Sequence, residues 1–361
     1  MGPQGATSDT DDAGRARFRR RLSTFVKLLI SAALVAALFY YDVITLQALA
    51  ATFRDWPVAL SAFVVLLVGY GLSALRWYAL LHAIGIRIRL RPCAEIFAMG
   101  TFANTFLPGG TGGDLVRVVY IARHVQTDRA GGVISVLADR AMGLLGVLGV
   151  AVMLGLVASE HVIQSPLTRT LYFLLAGGFA GITLGLVIAL VVLPPARVAK
   201  ISSFIGNRTM IHRLFLRIFQ VIGQFRNNPA AVLLSAILSI LITLTIVTAV
   251  ILLASRFKAG GLNALDFANA TVFALVANIV PITPGGVGVA EGVFAFLCYA
   301  WETTPTTLAY GTIFLGQRLI TMVISLVGSI AFVTYKGSVG MGEASGSGNV
   351  APVAPAPERA P

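Results

Sequence analysis

Residues 108–114 read Pro-Gly-Gly-Thr-Gly-Gly-Asp, and residues 284–291 read Pro-Gly-Gly-Val-Gly-Val-Ala-Glu. Each motif interrupts strongly apolar sequence, and Pro-Gly-Gly breaks a helix because proline lacks an N–H donor and glycine frees the backbone. Inside a bilayer, such a break survives only where protein buries it or where it lines a water-filled cavity. The two motifs therefore predict the tips of two re-entrant hairpins, each formed by two short half-helices. A pair of ordinary loops between membrane spans is the alternative interpretation.

The composition is that of an integral membrane protein. Of 361 residues, 57% are hydrophobic and 12% are charged, whereas a soluble domain carries about twice that charged fraction. Helices are expected because hydrocarbon requires the backbone to satisfy its own hydrogen bonds, and the alternating pattern of an outer-membrane barrel is absent from the sequence. The basic residues behind the net charge of +12 lie at the ends of apolar runs. They indicate contact with anionic lipid headgroups rather than with nucleic acid.

Apolar runs and basic stretches divide the chain into two membrane repeats. Basic and apolar residues alternate at 197–226, which predicts a helix lying on the membrane surface; a solvated connecting helix is the alternative. The first apolar run, at 25–41, is expected to be a retained helix, although Ala48-Leu49-Ala50 resembles a signal-peptide cleavage site. The C-terminal end is rich in Gly, Ser, Ala and Pro and cannot bury a core. The predicted segments are a basic disordered tail at 1–24, a first membrane repeat at 25–158 with a hairpin at 94–124, a second membrane repeat at 169–336 with the basic interfacial helix at 197–226 and a hairpin at 264–301, and a disordered tail at 337–361.

Lysine and arginine are distributed unevenly between the two sides of the predicted membrane region. With the N-terminus in the cytoplasm, the cytoplasmic segments hold most of these residues, and the opposite side holds little beyond Arg54, Arg169, Arg256 and Lys258. This asymmetry predicts that both termini are cytoplasmic. It also requires each hairpin to return to the side from which it entered, so that the two hairpins enter from opposite sides.

A second correspondence follows each hairpin. Residues 137–140 read Leu-Ala-Asp-Arg, and residues 315–318 read Leu-Gly-Gln-Arg at nearly the same distance from the glycine-rich motif. We therefore predict an all-α polytopic membrane protein with about six full transmembrane helices and two re-entrant broken-helix hairpins, arranged as an inverted repeat. Secondary transporters have this architecture, with their sites near the bilayer midplane. Chance similarity between two glycine-rich loops is the alternative.

Two opposed hairpin tips would present backbone N–H groups and the positive ends of half-helices, which suit a phosphate or a carboxylate. Charges within a span are costly, so we expect Arg140 and Arg318 to face the protein interior and to pair with Asp114 and Glu291. Asp139 is an alternative partner. These groups either form structural ion pairs or contact the substrate, and arginine binds a phosphate bidentately more readily than lysine does.

Other polar side chains near the hairpins also have expected roles. Arg117 is expected nearer the cytoplasmic surface, where it receives a headgroup, and Arg76 is expected to extend toward the end of its span. Asn104 and Asn278 either cap the broken helices, which is the preferred role, or bind a ligand. The candidate substrate-binding residues are Asn104, Pro108, Gly109, Gly110, Gly112, Asp114, Arg117, Arg140, Asn278, Pro284, Gly285, Gly286, Gly288, Glu291 and Arg318.

The sequence offers no pattern typical of an enzyme. Residues 109–113 lack the Lys-Ser/Thr of a phosphate-binding P-loop and follow no soluble strand. No Ser-His-acid constellation is evident, the two cysteines lie far apart, and the four histidines are scattered without ligand spacing. We therefore expect no catalytic activity, no metal site and no cofactor.

Two motifs resemble those of a known family. Its second motif, Pro-Gly-Gly-x-Gly-x-x-Glu, is similar to residues 284–291. Its first motif, Asn…Pro…Gly-acidic-x-x-Arg, is similar to Asn104, Pro108, Gly113, Asp114 and Arg117. The family is the transmembrane region of lysylphosphatidylglycerol synthase, which includes flippase-like YbhN-type membrane proteins, and the resemblance covers residues 22–336. Asp114 stands where a glutamate is common, which shortens its reach toward an arginine.

The resemblance implies a function. Family members with a synthase role carry a C-terminal soluble domain that aminoacylates phosphatidylglycerol; the tail described above stands in its place, so we do not expect that activity. The resemblance implies instead a multi-pass protein of the bacterial inner membrane that flips an anionic or modified lipid between leaflets by alternating access. One alternative is a non-transporting partner of a separately encoded lipid-modifying or glycosyl-transferring enzyme, and another is a small-anion transporter. The lipid, the direction of movement, any coupling ion and the oligomeric state stay open.

Overall fold

The computed structural model of the protein describes residues 36, 40, 42–106, 112–125, 129–158, 160–191, 225–257, 260–279, 283 and 287–334. Several of the predictions concern other residues. Outside the described residues lie the two terminal tails, almost all of the first span at 25–41, almost all of the basic helix at 197–226, and the hairpin residues Pro108, Gly109, Gly110, Pro284, Gly285 and Gly286.

The apolar runs of the described residues form helices. In chain order these helices are α1 (Leu46–Arg54), α2 (Trp56–Ala83), α3 (Leu90–Phe106), α4 (Gly112–Val125), α5 (Arg129–Leu156), α6 (Glu160–Gln164), α7 (Pro166–Val191), α8 (Pro229–Ala254), α9 (Ala264–Ala277), α10 (Val289–Trp301), α11 (Tyr310–Ser325) and α12 (Val327–Thr334). Proline lies in the first turn of α2 and of α8, where its missing N–H has no intrahelical partner to lose. Gly85 follows α2 with a φ of +81°, a conformation that favours glycine and stops the helix.

Five stretches of the described residues are helical, long and apolar enough to cross a membrane. They are Trp56–Ala83, Gly131–Leu156, Pro166–Ile188, Pro229–Ala254 and Tyr310–Ala331. Together with the span predicted at 25–41, which belongs to the part of the chain that is not described, they account for the predicted number of about six. The protein is an all-α polytopic membrane protein, as its sequence predicts.

Two pairs of short apolar helices lie at the positions predicted for the hairpins. The first pair is α3 with α4 and the second is α9 with α10, and the helices of each pair pack against each other. With 14 and 13 residues, α9 and α10 are each shorter than the roughly 20 residues that a transmembrane helix needs. Gly288, directly before α10, has a φ of +89°, which L side chains rarely adopt.

The helices that directly precede the two hairpins, α2 and α8, pack against each other in opposite directions. As the residue number rises along α2, that of its partner along α8 falls. The contacts in order are Asp55 with Arg256, Gly69 with Thr245, Arg76 with Ser239, and Ala83 with Asn228. Because equivalent helices of the two halves run antiparallel, the halves have opposite orientations, as an inverted repeat requires.

The packing of the other helices repeats in the same way. In the first half α2 packs on α3, α4 on α5 and α2 on α5, and in the second half α8 packs on α9, α10 on α11 and α8 on α11. Contacts between the halves match too, since α2 packs on α11 as α8 packs on α5, and α3 packs on α11 as α9 packs on α5. The helices of the two halves therefore follow one packing plan around the α2–α8 contact.

Glycines allow the closest of these contacts, as they do between many membrane helices. In the first hairpin, a Cβ at Gly113 would lie 1.8 Å from the carbonyl oxygen of Gly100 and 2.6 Å from Cγ of Asn104. Across the two halves, a Cβ at Gly146 would lie 2.6 Å from Ser239 Cβ. In the first hairpin, the backbones of α3 and α4 are therefore in direct contact at Gly100 and Gly113.

The Gly113→Ala variant is expected to lose stability, by about 1–3 kcal/mol or more, because the added methyl group overlaps backbone that cannot rotate away. The control is Gly71→Ala in α2, where a Cβ would meet no atom within 4 Å. That change is expected to be neutral or to stabilise the helix by up to about 1 kcal/mol. The unfolding midpoints of both variants in detergent provide the measurement, and equal midpoints would contradict the close packing.

A short helix lies between the apolar run at 25–41 and α2. Helix α1 begins after Thr45, whose hydroxyl accepts the N–H of Ala48, and packs on α11. The N–H of Thr45 donates to Thr312 Oγ1 at 3.2 Å, and a Cβ at Gly316 would lie 4.0 Å from Thr52 Cβ. The segment therefore lies along the first half of α11.

Candidate functional site

The first hairpin carries an ion pair with the helix that follows it. Asp114 is the third residue of α4, and Arg140 lies in α5. Arg140 Nε donates to Asp114 Oδ2 at 2.6 Å, and Arg140 Nη2 lies 2.5 Å from the same oxygen. The side chains are 54% and 18% exposed, respectively. Arg140 and Asp114 are therefore in contact, as their positions in the repeat predict.

Asn104 joins the two half-helices of this hairpin. Its Oδ1 accepts the N–H of Gly113 at 2.9 Å, in the first turn of α4, and its Nδ2 donates to Asp114 Oδ1 at 3.4 Å. The first turn of a helix has N–H groups without intrahelical partners, so Asn104 acts as a cap supplied by the neighbouring helix. It also holds the carboxylate that faces Arg140. Gly112, the first residue of α4, is half-buried beside it.

The second hairpin carries an equivalent ion pair that is buried. Glu291 is the third residue of α10 and has no exposed side-chain surface, and Arg318 of α11 is 13% exposed. Arg318 Nε lies 2.6 Å from Glu291 Oε1, which is an ion pair. Glu291 Oε2 accepts the N–H of Gly288 at 2.8 Å. One carboxylate thus caps the half-helix and binds the arginine of the next helix.

A buried cluster of three charges lies beside the first hairpin. Asp139 Oδ1 accepts from Arg76 Nε at 2.8 Å, and Asp139 Oδ2 accepts from Arg117 Nη2 at 2.9 Å. Arg76 Nη1 also donates to Ser239 Oγ of the other half at 3.0 Å. The guanidinium carbon of Arg117 lies 4.2 Å from the centre of the Trp77 ring, a cation–π contact. The cluster joins α2, α4, α5 and α8.

This cluster corrects three expectations. Arg117, expected nearer the cytoplasmic surface, is buried, and so is Arg76, which was expected to extend toward the end of its span. Asp139 pairs with these two arginines rather than with Arg140 or Arg318. The physical reason is that a buried guanidinium group requires a carboxylate nearby. Asp139 faces the interior of the helix bundle, where the side chains of both arginines reach it.

Arg140 corrects another expectation, because it does not face the protein interior. The exposed side chains of this part of α5 are Val133, Leu137, Arg140 and Ala141, which share one face of the helix. An outward apolar face of a membrane span contacts lipid, where an uncompensated charge is costly. Asp114, which is itself largely buried, compensates part of the charge of Arg140.

The charges around the first hairpin do not balance. Three arginines, Arg76, Arg117 and Arg140, face two carboxylates, Asp114 and Asp139, in the contacts described above. The sum is one net positive charge. Cations in such surroundings attract an anion, and Arg140 is the member of the group that an anion reaches from outside the protein.

The two asparagines differ, although the sequence gives them equivalent positions. Asn278 is exposed at the C-terminal end of α9, where its backbone N–H donates to the carbonyl of Ala274. It caps that helix with its backbone, whereas Asn104 caps α4 with its side chain. Of the remaining candidates, Gly288 lies next to Glu291. Within the described residues, no group of His, Cys, Asp and Glu side chains could hold a metal ion.

The comparison with known proteins agrees with the motifs. A model of the family described as the lysylphosphatidylglycerol synthase TM region matches residues 24–328, which include both hairpins and all the ion pairs described above. No curated protein and no solved structure matches the chain significantly. Since the family match covers most of the chain, the protein belongs to the family of the lysylphosphatidylglycerol synthase transmembrane region.

Proposed function

We propose that this protein is a lipid transporter of the bacterial inner membrane, which moves an anionic, phosphate-bearing lipid between leaflets. The observation that carries the proposal is the Asp114–Arg140 pair, which is half-exposed on an apolar outward face of a membrane span. A lipid presents a phosphate and hydrocarbon chains in one molecule. It therefore matches a site where a guanidinium lies among exposed apolar side chains.

The guanidinium has donors left for such a phosphate. Asp114 Oδ2 engages Nε and Nη2 of Arg140, and a guanidinium carries five N–H groups in a fixed fork. The donors of Nη1 are not engaged by Asp114, so a phosphate oxygen binds there with a charge-assisted hydrogen bond. The single negative charge of a phosphodiester would also balance the excess positive charge of the group around the first hairpin.

The same surroundings favour a lipid over a small water-soluble anion. Leu137 is 55% exposed one turn from Arg140 on the same face. Such a surface offers contacts to acyl chains and none to a hydrated inorganic ion. The inverted repeat and its two hairpins support transport rather than a purely structural role, because secondary transporters are commonly built from such repeats with broken helices.

The test is leaflet exchange in reconstituted vesicles. Phosphatidylcholine vesicles containing a trace of fluorescent phosphatidylglycerol are expected to exchange the label faster with the protein than without it, and fluorescent phosphatidylcholine is expected to exchange more slowly. Exchange no faster than in empty vesicles, across a panel of anionic lipids, would overturn the proposal.

The Arg140→Lys variant is expected to retain part of the exchange activity. Lysine keeps the charge but lacks the fork that binds Asp114 and a phosphate together, and losing one charge-assisted hydrogen bond of about 1.5–3 kcal/mol reduces exchange by roughly tenfold or more. The matched control is Arg91→Lys, since Arg91 lies in an exposed ion pair with Glu95. Exchange in that control is expected to equal the wild-type rate. An Arg140→Lys variant as fast as the control would contradict simultaneous binding of Asp114 and a phosphate by the guanidinium group.

A further inference from the structure

The buried charge cluster beside the first hairpin has too few hydrogen-bond acceptors for its donors. Arg76 and Arg117 are 8% and 5% exposed, and they share one carboxylate, that of Asp139. Each guanidinium group carries five N–H donors. Among the described residues, Arg76 forms hydrogen bonds through Nε and Nη1, and Arg117 forms one through Nη2. Nε of Arg117 is buried and has no hydrogen-bond partner in that part of the chain. The cluster therefore lacks both acceptors and negative charge.

The second half follows the same packing plan without these charges. By the alignment of the two Arg-containing segments, Gln317 is equivalent to Asp139, and by the alignment of the two glycine-rich motifs, Phe294 is equivalent to Arg117. Both Gln317 and Phe294 are buried. The fold can therefore be built with uncharged side chains at these positions, and such replacements of buried charges are often neutral or stabilising. An excess of positive charge inside a membrane protein is costly unless an anion balances it.

A space of the size of a methyl group lies beside Arg76. Gly143 follows Asp139 by one turn of α5, and a Cβ at Gly143 would lie 3.4 Å from Nη1 and 3.6 Å from Nη2 of Arg76. Apart from the backbone of α5 itself, the heavy atoms nearest to that position all belong to Arg76. Nη2 has no hydrogen-bond partner among the described residues. Gly143 is half-buried, so this space, the Gly143 notch, is not sealed from outside.

The size and the charge of the notch favour a small monovalent anion. A chloride ion is similar in size to a methyl group, and the distances from the Cβ position to Nη1 and Nη2 are close to those at which chloride accepts N–H donors. A phosphate group, with four oxygen atoms, is too large for this space. The excess of the cluster is one positive charge. A lipid phosphate at Arg140 would balance the same excess from outside, so the two anions weaken each other's binding.

We propose that the Gly143 notch is a binding site for a small monovalent anion of the chloride class, held by Nη1 and Nη2 of Arg76. The ion neutralises the buried cluster and stabilises the contact between the two halves that Arg76 makes with Ser239. It is a bound structural ion rather than a transported substrate. This inference goes beyond the proposed function and does not rest on it.

Thermal unfolding in a neutral detergent without added lipid tests the site, with chloride as the probe. Sodium gluconate keeps the ionic strength constant as sodium chloride is raised, because gluconate is too large for the notch. The unfolding midpoint of the wild-type protein is expected to rise with chloride and to saturate, by a few degrees at roughly ten times the Kd, since a ligand that binds only the folded protein stabilises it. Bromide is expected to have the same effect.

The Gly143→Ala variant fills the notch without removing a charge. Its methyl group would meet Arg76 at ordinary van der Waals distances, so the variant is expected to fold and to lose the rise with chloride. Gly149→Ala is the matched control, because it adds the same group to the same helix, 3.5 Å from the ring of Phe179. It is expected to keep the wild-type response. Arg76→Lys keeps the charge but not the two Nη groups, and its half-saturating chloride concentration is expected to rise at least severalfold.

Each outcome decides the matter. A wild-type midpoint that does not depend on chloride would overturn the site, and so would an equal response in Gly143→Ala or in Arg76→Lys. Loss of the response in Gly149→Ala as well would trace it to the packing of α5 rather than to the notch, and would overturn the site too. These measurements do not involve lipid exchange, so the proposed transport function is tested separately.

Discussion

Asp139→Asn is expected to destabilise the folded protein more than any other single change considered for this chain, by on the order of 3–5 kcal/mol. Asp139 is the carboxylate that both Arg76 and Arg117 contact, at 2.8 and 2.9 Å. Asparagine fits the same space but carries no charge. Two buried guanidinium groups would then face each other without the carboxylate between them, and the cation–π contact of Arg117 does not replace it.

The measurement is the midpoint of thermal unfolding in detergent. The control is Glu95→Gln, which breaks an exposed ion pair with Arg91 and is expected to change stability by less than about 1 kcal/mol. A triple variant, Arg76→Met with Arg117→Met and Asp139→Leu, removes all three charges and is expected to regain much of the stability. An Asp139→Asn midpoint equal to that of the control would show that the buried cluster contributes little to folding.

The double variant Arg140→Met with Asp114→Leu is expected to fold and to lose lipid exchange, down to the rate of protein-free vesicles. Removing both partners leaves no unpaired charge in the protein. The pair is also partly exposed to its surroundings, and a partly exposed ion pair contributes little to stability. The phosphate, however, loses its guanidinium. Unfolding midpoints and exchange rates from one preparation separate the two effects, and full exchange in this variant would show that the pair is purely structural.

The same experiment on the second half is expected to give the same loss of exchange with a larger loss of stability. Glu291 also accepts the N–H of Gly288, so Glu291→Leu with Arg318→Met removes a helix cap worth about 0.5–2 kcal/mol. Recovery of full exchange in this double variant would contradict a role for Arg318 in binding a headgroup.

Much of the fold is predictable because hydrocarbon permits few solutions. Apolar runs of sufficient length predict spans, and Pro-Gly-Gly motifs within apolar sequence predict broken helices. The pairing of Asp114 with Arg140 and of Glu291 with Arg318 follows from the repeat, since two halves with one plan place equivalent side chains in equivalent contacts. These predictions depend on patterns along the chain, which the sequence displays directly.

The orientation of individual side chains is less predictable, and the reason is the rotation of each helix about its axis. Arg76 looks free to extend toward the membrane surface, but packing of α2 on α8 and α5 turns it toward Asp139. Arg140 is adjacent to Asp139 in sequence, so the two side chains point in different directions. Asp139 faces the bundle, whereas Arg140, about 100° further around the helix, faces outward. In the sequence, the signal for the burial of Arg76 is that this charged residue lies within an apolar run.

Helix α1 shows another limit of sequence reasoning. Its nine residues carry no strong apolar run, and their partner in space, α11, lies more than 250 residues further along the chain. Short helices of this kind gain their stability from tertiary packing rather than from local propensity. The contact between α1 and α11 is therefore visible only in the folded molecule.

The buried cluster also sets an order of events during synthesis of the protein. Arg76 enters the membrane with α2, but its carboxylate is 63 residues further along the chain and its hydroxyl partner is 163 residues further. A lone arginine within an inserting helix carries a penalty of up to about 2.5–3.5 kcal/mol, the value at the helix centre, and the long apolar sequence of α2 offsets it. Until α5 arrives, the nascent chain holds an unpaired charge in the bilayer. The charge of Arg76 therefore gains its full set of partners only after α5 and α8 have both been inserted.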